Sequence, residues 1–252
     1  MNLFSKKPTV EFACYVEGLE QIMPIIPAKK YKHPWLVRAF QHYSRIKKEP
    51  GYGESQSTHI TQCPGIVSIM HHGWLIRAWQ DILIDTNEDG LSYKWQTPIN
   101  EEKEHEIQSV QSHHPSELVN FFEHWCSPTP YIFKLNFAWH CKIPKGYALL
   151  TLPVAYADED RFEAVPGLLS DEYKWTALNP QIKWKAPPGK SLIKAGTPLA
   201  QFMLVKMEDI ETKVYCDKNL LSKVKVNSMF VRSKFVQTAR SVKDFFRGVR
   251  HG

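Results

Sequence analysis

The stretch that decides the fold begins with Ile143-Pro144-Lys145-Gly146-Tyr147-Ala148-Leu149-Leu150-Thr151-Leu152-Pro153. It continues with Phe162-Glu163-Ala164-Val165-Pro166-Gly167-Leu168-Leu169-Ser170-Asp171-Glu172-Tyr173 and closes with Ile193-Lys194-Ala195-Gly196-Thr197-Pro198-Leu199-Ala200-Gln201-Phe202-Met203-Leu204-Val205. In all three segments short apolar runs alternate with Pro and Gly turns, which is typical of β-strands. The stretch therefore predicts a β-rich core.

Five strands are predicted around this stretch, with few helical patterns between them: Phe133–Ile143, Ala148–Leu152, Phe162–Leu169, Ile182–Trp184 and Ala200–Met207. Such a run of strands is typical of two packed sheets or a closed layer. We predict an α+β, β-rich chain with a β-sandwich, β-clip or jelly-roll-like core and peripheral helices.

The first half of the chain predicts helices and one hairpin. Pro34 and Pro64 suit the first position of a helix, and helical patterns follow them as far as Pro50-Gly51 and Gly73. A third helix is predicted from Pro115. Strict alternation from Trp74 to Thr86 predicts one strand, which the turn at residues 87–90 joins to a second strand at 91–96. A short strand is also predicted at residues 10–16.

The basic residues concentrate at the C-terminus. Residues 217–252 hold nine of the 32 Lys and Arg residues and two Asp, so the first 216 residues have a net charge of −1. Apolar residues recur there at helical spacing over about five turns: Val231, Phe235, Ala239, Val242, Phe246 and Val249. We predict parts 1–129, 130–216 and 217–252, forming one compact unit and a basic amphipathic helix.

This predicted helix is the candidate partner-binding element, through Arg232, Phe235, Arg240, Lys243, Phe246 and Arg247. It could dock on a protein partner or a second copy of the chain, lie on an anionic membrane, or contact nucleic acid. The remaining alternative is that its apolar stripe packs on the chain's own body.

The sequence also predicts where the protein resides. No apolar run reaches the roughly 18–20 residues that span a bilayer, and no apolar segment follows Lys6 and Lys7. Five widely spaced cysteines without a CxxC pair are expected to be reduced thiols. We therefore expect a cytoplasmic protein without a transmembrane segment.

Parts of the opening stretch resemble the dUTPase family, a trimeric β-rich fold. The resemblance rests on Pro144-x-Gly146-Tyr147, on the segment 167–173, and on Ile193, Gly196 and Ala200-Gln201, in the family's order. It covers about a quarter of the chain and implies a β-clip fold. It also implies a nucleotide pocket, for which Asp171 and Tyr173 would be the candidate catalytic residues.

The residues that perform the dUTPase reaction are not matched. The family's sugar-contacting Asp falls on Ser170, whose hydroxyl cannot take a proton from water as a carboxylate can. Asp171 lies one residue further, which in a strand turns it to the opposite face. The phosphate-binding Pro-Arg-Ser motif falls on Pro153-Val154-Ala155, a second family Arg falls on Pro198, and Arg247-Gly248 does not match the closing Gly-rich loop.

A second resemblance is to a poorly characterised family of bacteria and tailed phages. The shared patterns are Pro-x-Gly-Tyr-x-Leu-Leu, Phe-Glu-x-x-x-Gly-Leu-Leu and Gly-Thr-Pro-Leu-Ala-Gln, with Cys63-Pro64 and residues 73–78 also similar. This resemblance covers most of the chain. It implies a phage-encoded protein that acts in the host cytoplasm or the virion, and it implies no activity.

The eleven histidines suggest an alternative with a metal cofactor. His113, His114 and His140 are the candidate ligands for Fe or Zn, although no His-x-Asp or His-x-Glu pair lies on a predicted strand. We expect a non-enzymatic binding or assembly protein without a cofactor, oligomeric and attached to its partner through the C-terminal helix. The alternative is an enzyme, either a non-haem metal-dependent oxygenase or a nucleotide-binding hydrolase of dUTPase-like fold.

Overall fold

A computed structural model describes residues 7–49, 59–87, 92–99, 108–113, 129–172, 174–217 and 219–220. Its helices are α1 (Leu19–Ile22), α2 (Pro34–Ile46) and α3 (Pro64–His71), with 3₁₀ turns at Ala28–Lys30 and Ile60–Gln62. Its strands are β1 (Glu11–Cys14), β2 (Ile26–Pro27), β3 (Trp74–Arg77), β4 (Ile82–Asp85), β5 (Lys94–Gln96), β6 (Val110–Ser112), β7 (Ile132–Leu135), β8 (Trp139–Lys142), β9 (Tyr147–Leu152), β10 (Phe162–Ala164), β11 (Gly167–Leu169), β12 (Thr176–Ala177), β13 (Gln181–Trp184), β14 (Lys190–Ile193) and β15 (Pro198–Lys206).

The strands form four sheets, and every pair in the described part of the chain is antiparallel. The largest sheet has the order β11-β9-β15-β3-β2, and a four-stranded sheet has the order β10-β13-β7-β6. Two three-stranded sheets have the orders β1-β8-β12 and β14-β4-β5. The prediction of a β-rich fold is confirmed at this level.

The sheets draw on both halves of the chain. β1 pairs with β8, β3 with β15, β4 with β14 and β6 with β7. Residues 1–129 and residues from 130 onward therefore contribute strands to the same sheets. The chain divides into two compact units, Met1–Glu208 and Asp209–Gly252.

One hydrophobic core joins the four sheets. It contains Trp139 of β8, Phe133 of β7, Phe202 of β15 and Ile84 of β4, each at most 5% exposed. The Phe133 ring lies 5.2 Å from Tyr131 in a stacked arrangement and 5.4 Å from Trp184 edge-on. Because aromatic side chains bury the most apolar area, these rings contribute strongly to sheet packing.

Most predicted elements are present, and three predicted strands are each divided in two. α2 and α3 begin at the predicted prolines, and β4 pairs with β5 as the predicted hairpin requires. The predicted strand 74–86 is wrong as one strand, because the chain leaves one sheet after Arg77 and enters another at Ile82. The alternation of buried positions continues between the two strands, since Ala78, Gln80 and Ile82 are all buried.

The other two divisions have local causes. The segment 133–143 breaks into β7 and β8 at Asn136, whose side-chain amide donates to the carbonyl of Gln108 at 2.7 Å. The segment 162–169 breaks into β10 and β11 at Pro166, which lacks the amide hydrogen that a ladder needs. The predicted helix from Pro115 and the C-terminal helix lie outside the described residues.

Gly73 connects α3 to β3 in a left-handed conformation, with φ at +73°. A Cβ atom at this position would lie 1.8 Å from the backbone oxygen of Phe202 on β15. The carbonyl of Gly73 also accepts a hydrogen bond from Ala28 at 2.9 Å. Only glycine suits both this dihedral angle and this close approach.

Candidate functional site

The structure places Asp171 against the turn that precedes β9. Its Oδ2 accepts a hydrogen bond from the backbone N–H of Gly146 at 2.9 Å, and Tyr147 N–H bonds to the Pro144 carbonyl at 3.1 Å within the turn. The carboxylate therefore holds a turn whose glycine has φ of +78°. Tyr173, its predicted companion, lies outside the described residues.

Two substitutions test the structural role of the Asp171 carboxylate. We expect Asp171→Ala to lower the free energy of unfolding by about 1 kcal/mol, because the Gly146 amide loses its acceptor. Asp171→Asn retains a side-chain oxygen and should stay within about 0.5 kcal/mol of the native protein. Urea denaturation measures both, and equal losses in the two variants would contradict this role for the carboxylate.

Gln201, which the dUTPase resemblance matched, is a buried structural centre with 1% exposure. Its Nε2 donates to the carbonyls of Ile69 and His72, both at 2.7 Å. Its Oε1 accepts from the backbone N–H of Ala155 at 3.2 Å. One side chain thus ties the end of α3 to the loop that follows β9.

A cleft of about 310 Å³ opens beside that loop. Its charged side chains are already paired, Glu159 with Arg161 at 2.5 Å and Glu163 with Lys185 at 3.4 Å. Burial alone would raise the pKa of Glu159, but the hydrogen bonds and charge of Arg161 outweigh it and hold the pKa below its usual value. The described lining residues are Pro153, Val154, Ala155, Tyr156, Ala157, Glu159, Phe162, Glu163, Ala164, Lys185, Pro198 and Leu199.

A second cleft, of about 260 Å³, lies between β7 and β13 of one sheet and β9 and β11 of another. Lys134 and Gln181 line it, and the Gln181 Oε1 lies 3.1 Å from Nε2 of His113. The other lining residues are Thr151, Val165, Pro166, Gly167, Leu169, Ala177, Asn179 and Phe202. The lining combines apolar side chains with a few polar groups, which is the usual composition of a small-molecule site.

The predicted metal ligands do not come together in the part of the chain that the structure describes. His113 follows β6, His140 belongs to β8 of a different sheet, and His114 is outside the described residues. Cys141, beside His140, is fully buried, and burial raises the pKa of its thiol to about 11. Within the described ranges, no three His, Cys, Asp or Glu side chains are grouped to hold a metal ion.

The second unit begins with a segment that exposes three large apolar side chains, which were not predicted as a contact from the sequence. Ile210, Val214 and Tyr215 are 83%, 92% and 80% exposed. Residues 209–217 form neither helix nor strand. The predicted partner-binding residues 232–247 follow this segment and lie outside the described residues. Across the described ranges, no helix has the length and apolar character to cross a membrane.

A basic region in the first unit was not predicted from the sequence. Residues 28–49 contain seven Lys or Arg and one Glu. The net charge of the first 216 residues does not reveal this region, because acidic residues elsewhere balance its charge. The net charge in windows of about 20 residues would have revealed it.

Comparison with known proteins does not assign a family. No family profile matches the chain, and no curated protein matches it. Among solved structures, a mutant dUTPase from phage phi11 of S. aureus, described with a structural Mg(II) ion, is similar to part of the chain. The two are 15% identical over 44% of this chain and 99% of the dUTPase, with a TM-score of 0.27. A likeness this low gives no grounds to assign the dUTPase fold or its reaction.

Proposed function

We propose that the chain is a non-enzymatic binding or assembly protein that forms oligomers through its second unit, Asp209–Gly252. The observation that carries this proposal is the exposure of Ile210, Val214 and Tyr215 within six residues. Each aliphatic side chain of this size gains about 1.5–3 kcal/mol on full burial, so the segment favours association with an apolar surface. The basic amphipathic helix predicted after it would extend the same contact.

Removal of the second unit, Asp209–Gly252, tests the proposal. We expect the full chain to elute as an oligomer in size-exclusion chromatography with light scattering. A chain ending at Glu208, which lacks the exposed residues and all that follows them, should elute as a monomer and keep the unfolding temperature of the first unit. An oligomeric mass that persists after truncation would overturn the proposal.

A pair of point substitutions supplies the matched control. Ile210→Asp places a charge in the proposed contact and should weaken assembly in the full chain. Ile22→Asp alters a residue of α1 that is similarly exposed, 77% against 83%, and should leave the mass unchanged. Equal effects of the two would mean that Ile210 is not in the contact.

The fold and origin belong to the same proposal. A β-clip arrangement of the sheets rests on the dUTPase resemblance, and a β-sandwich or jelly-roll-like arrangement rests on the run of predicted strands. A phage-encoded origin, with a location in the host cytoplasm or the virion, rests on the second resemblance. A protein partner in place of a second copy would use the same segment. An anionic membrane or nucleic acid would use the basic residues of the tail.

The enzyme alternative has one observation in its favour. Lys134, at the cleft of about 260 Å³, has no carboxylate within ion-pair distance among the described residues, and the cleft includes Gly167 and Leu169 of the dUTPase-like stretch. A nucleotide-binding hydrolase could use this cleft. The metal-dependent alternative would need Fe or Zn in the purified protein at one atom per chain, with His113, His114 or His140 as ligands. An oxygenase would need Fe, because Zn has no redox chemistry.

A further inference from the structure

The basic region of the first unit is confined to α2 and the turns on either side of it. Its charges are Lys29, Lys30, Lys32, Arg38, Arg45, Lys47 and Lys48, and all seven residues are exposed. Glu49 is its single acidic residue, so residues 28–49 have a net charge of +6. The rest of the first 216 residues has a net charge of −7. The positive charge of this unit is therefore concentrated around one helix, with two of the seven charges on α2 and five in the segments that flank it.

The polar residues of α2 lie on one side of the helix. Arg38, Gln41 and Arg45 are spaced i, i+3 and i+7, so they form a single exposed row. Lys48, in the following turn, continues the row by three residues. Arg38 and Arg45 are about 10 Å apart along the axis, which matches three nucleotides of a DNA strand at about 3.4 Å each.

Carboxylates near the row are few. Arg38 approaches Asp158 at 4.0 Å, and both side chains are more than half exposed, so this pair is weak. Arg45 and Lys48 have no carboxylate within ion-pair distance among the residues that the structure describes. The cations of the row are therefore available to an external anion.

Two aromatic side chains of α2 contact neighbouring parts of the protein, and no residue of α2 is fully buried. The indole N–H of Trp35 donates to the Tyr156 carbonyl at 2.7 Å. Tyr43 contacts the His59 ring at 5.1 Å, and its hydroxyl accepts a hydrogen bond from Gln62. A membrane-bound amphipathic helix must place its apolar side in lipid, whereas Trp35 and Tyr43 are held by contacts within the protein. Bases of a single strand stack on exposed aromatic rings, and both rings are engaged here.

We propose that the row Arg38, Gln41, Arg45 and Lys48 binds the phosphate backbone of a DNA duplex. A straight helix with cationic and amide side chains on its outer side can follow a strand or enter the major groove. Contacts to phosphates are independent of sequence and release counterions, so the binding is salt-dependent. This surface belongs to the first unit and does not depend on the oligomer contact proposed above.

Fluorescence anisotropy with the full chain and a labelled 20-base-pair DNA duplex tests the proposal. We expect Arg38→Gln/Arg45→Gln/Lys48→Gln to weaken binding at least tenfold at about 100 mM salt, and to reduce the slope of log K against log salt by about three. The matched control, Lys145→Gln/Lys174→Gln/Lys190→Gln, removes the same charge from other exposed positions and should weaken binding less than twofold.

The outcomes decide the proposal. The proposal is supported if duplex affinity falls in the α2 triple variant and not in the control. The single variant Arg45→Gln should show an intermediate loss of duplex affinity. Equal losses in the two triple variants, or no duplex binding by the native chain at 50 mM salt, would overturn it. So would an α2 variant that binds DNA normally and loses binding to phosphatidylserine vesicles.

Discussion

Gly73→Ala is expected to lower the free energy of unfolding by about 3 kcal/mol or more. A residue with a side chain costs roughly 1–2 kcal/mol at φ of +73°, and overpacking adds about 1–3 kcal/mol. The added Cβ would lie 1.8 Å from the Phe202 oxygen, so α3, β3 and β15 cannot keep their positions. Guanidinium denaturation of the purified variant, or its recovery in the soluble fraction, measures the loss.

Two other glycines separate the causes of this loss. Gly146 has φ of +78° with no atom within 4 Å of an added Cβ, so Gly146→Ala should show only the dihedral cost of about 1–2 kcal/mol. Gly65 in α3 also has open space and no left-handed φ, and Gly65→Ala should stabilise the protein by about 0.5–1 kcal/mol. If Gly73→Ala costs no more than Gly146→Ala, the close approach to Phe202 is not rigid.

Gln201→Leu is expected to lower the free energy of unfolding by about 2–4 kcal/mol. The leucine side chain is similar in size to glutamine. It can neither donate to the Ile69 and His72 carbonyls nor accept a hydrogen bond from the Ala155 amide. Unpaired backbone groups around a 1% exposed side chain each carry a desolvation penalty of about 1–3 kcal/mol, which partial relaxation reduces. Chemical denaturation gives the value, and hydrogen exchange should show faster opening at the end of α3.

The control for this variant is Gln111→Leu on β6. Gln111 is also a strand glutamine, but it is exposed. Its substitution should therefore change the free energy of unfolding by no more than about 0.5 kcal/mol. A cost below 1 kcal/mol for Gln201→Leu would show that α3 and the 153–157 loop hold together without this side chain.

The sequence predicted elements whose cause is local. α2 starts at Pro34, and β9 and β15 contain short apolar runs, so the positions of these elements follow from nearby residues. The crossing at 78–81 was not predictable, because its cause is a partner far along the chain. Ala78 N–H bonds to the Thr197 carbonyl, and Asp81 accepts from the Ala195 amide at 2.8 Å.

The candidate site was predicted to a smaller extent for the same reason. Asp171 was predicted as a candidate catalytic residue, and its carboxylate accepts a hydrogen bond from a turn 25 residues earlier. Gln201 was recognised as a matched position, but its contacts to Ile69 and His72 depend on the pairing of β3 with β15. The basic row on α2 needed both a local charge count and the knowledge of which side of the helix faces the protein.

The pairing of β3 with β15 delays completion of the large sheet during protein synthesis. Arg77 ends β3 and Pro198 begins β15, so about 120 residues must be made before the two strands can meet. At the usual rate of about 5–20 residues per second, β3 waits roughly 6–24 s with one edge uncovered. The chain therefore exposes Leu75 and Ile76 to chaperones and to other nascent chains throughout that interval, and an early stop before residue 198 leaves the large sheet without its central strand.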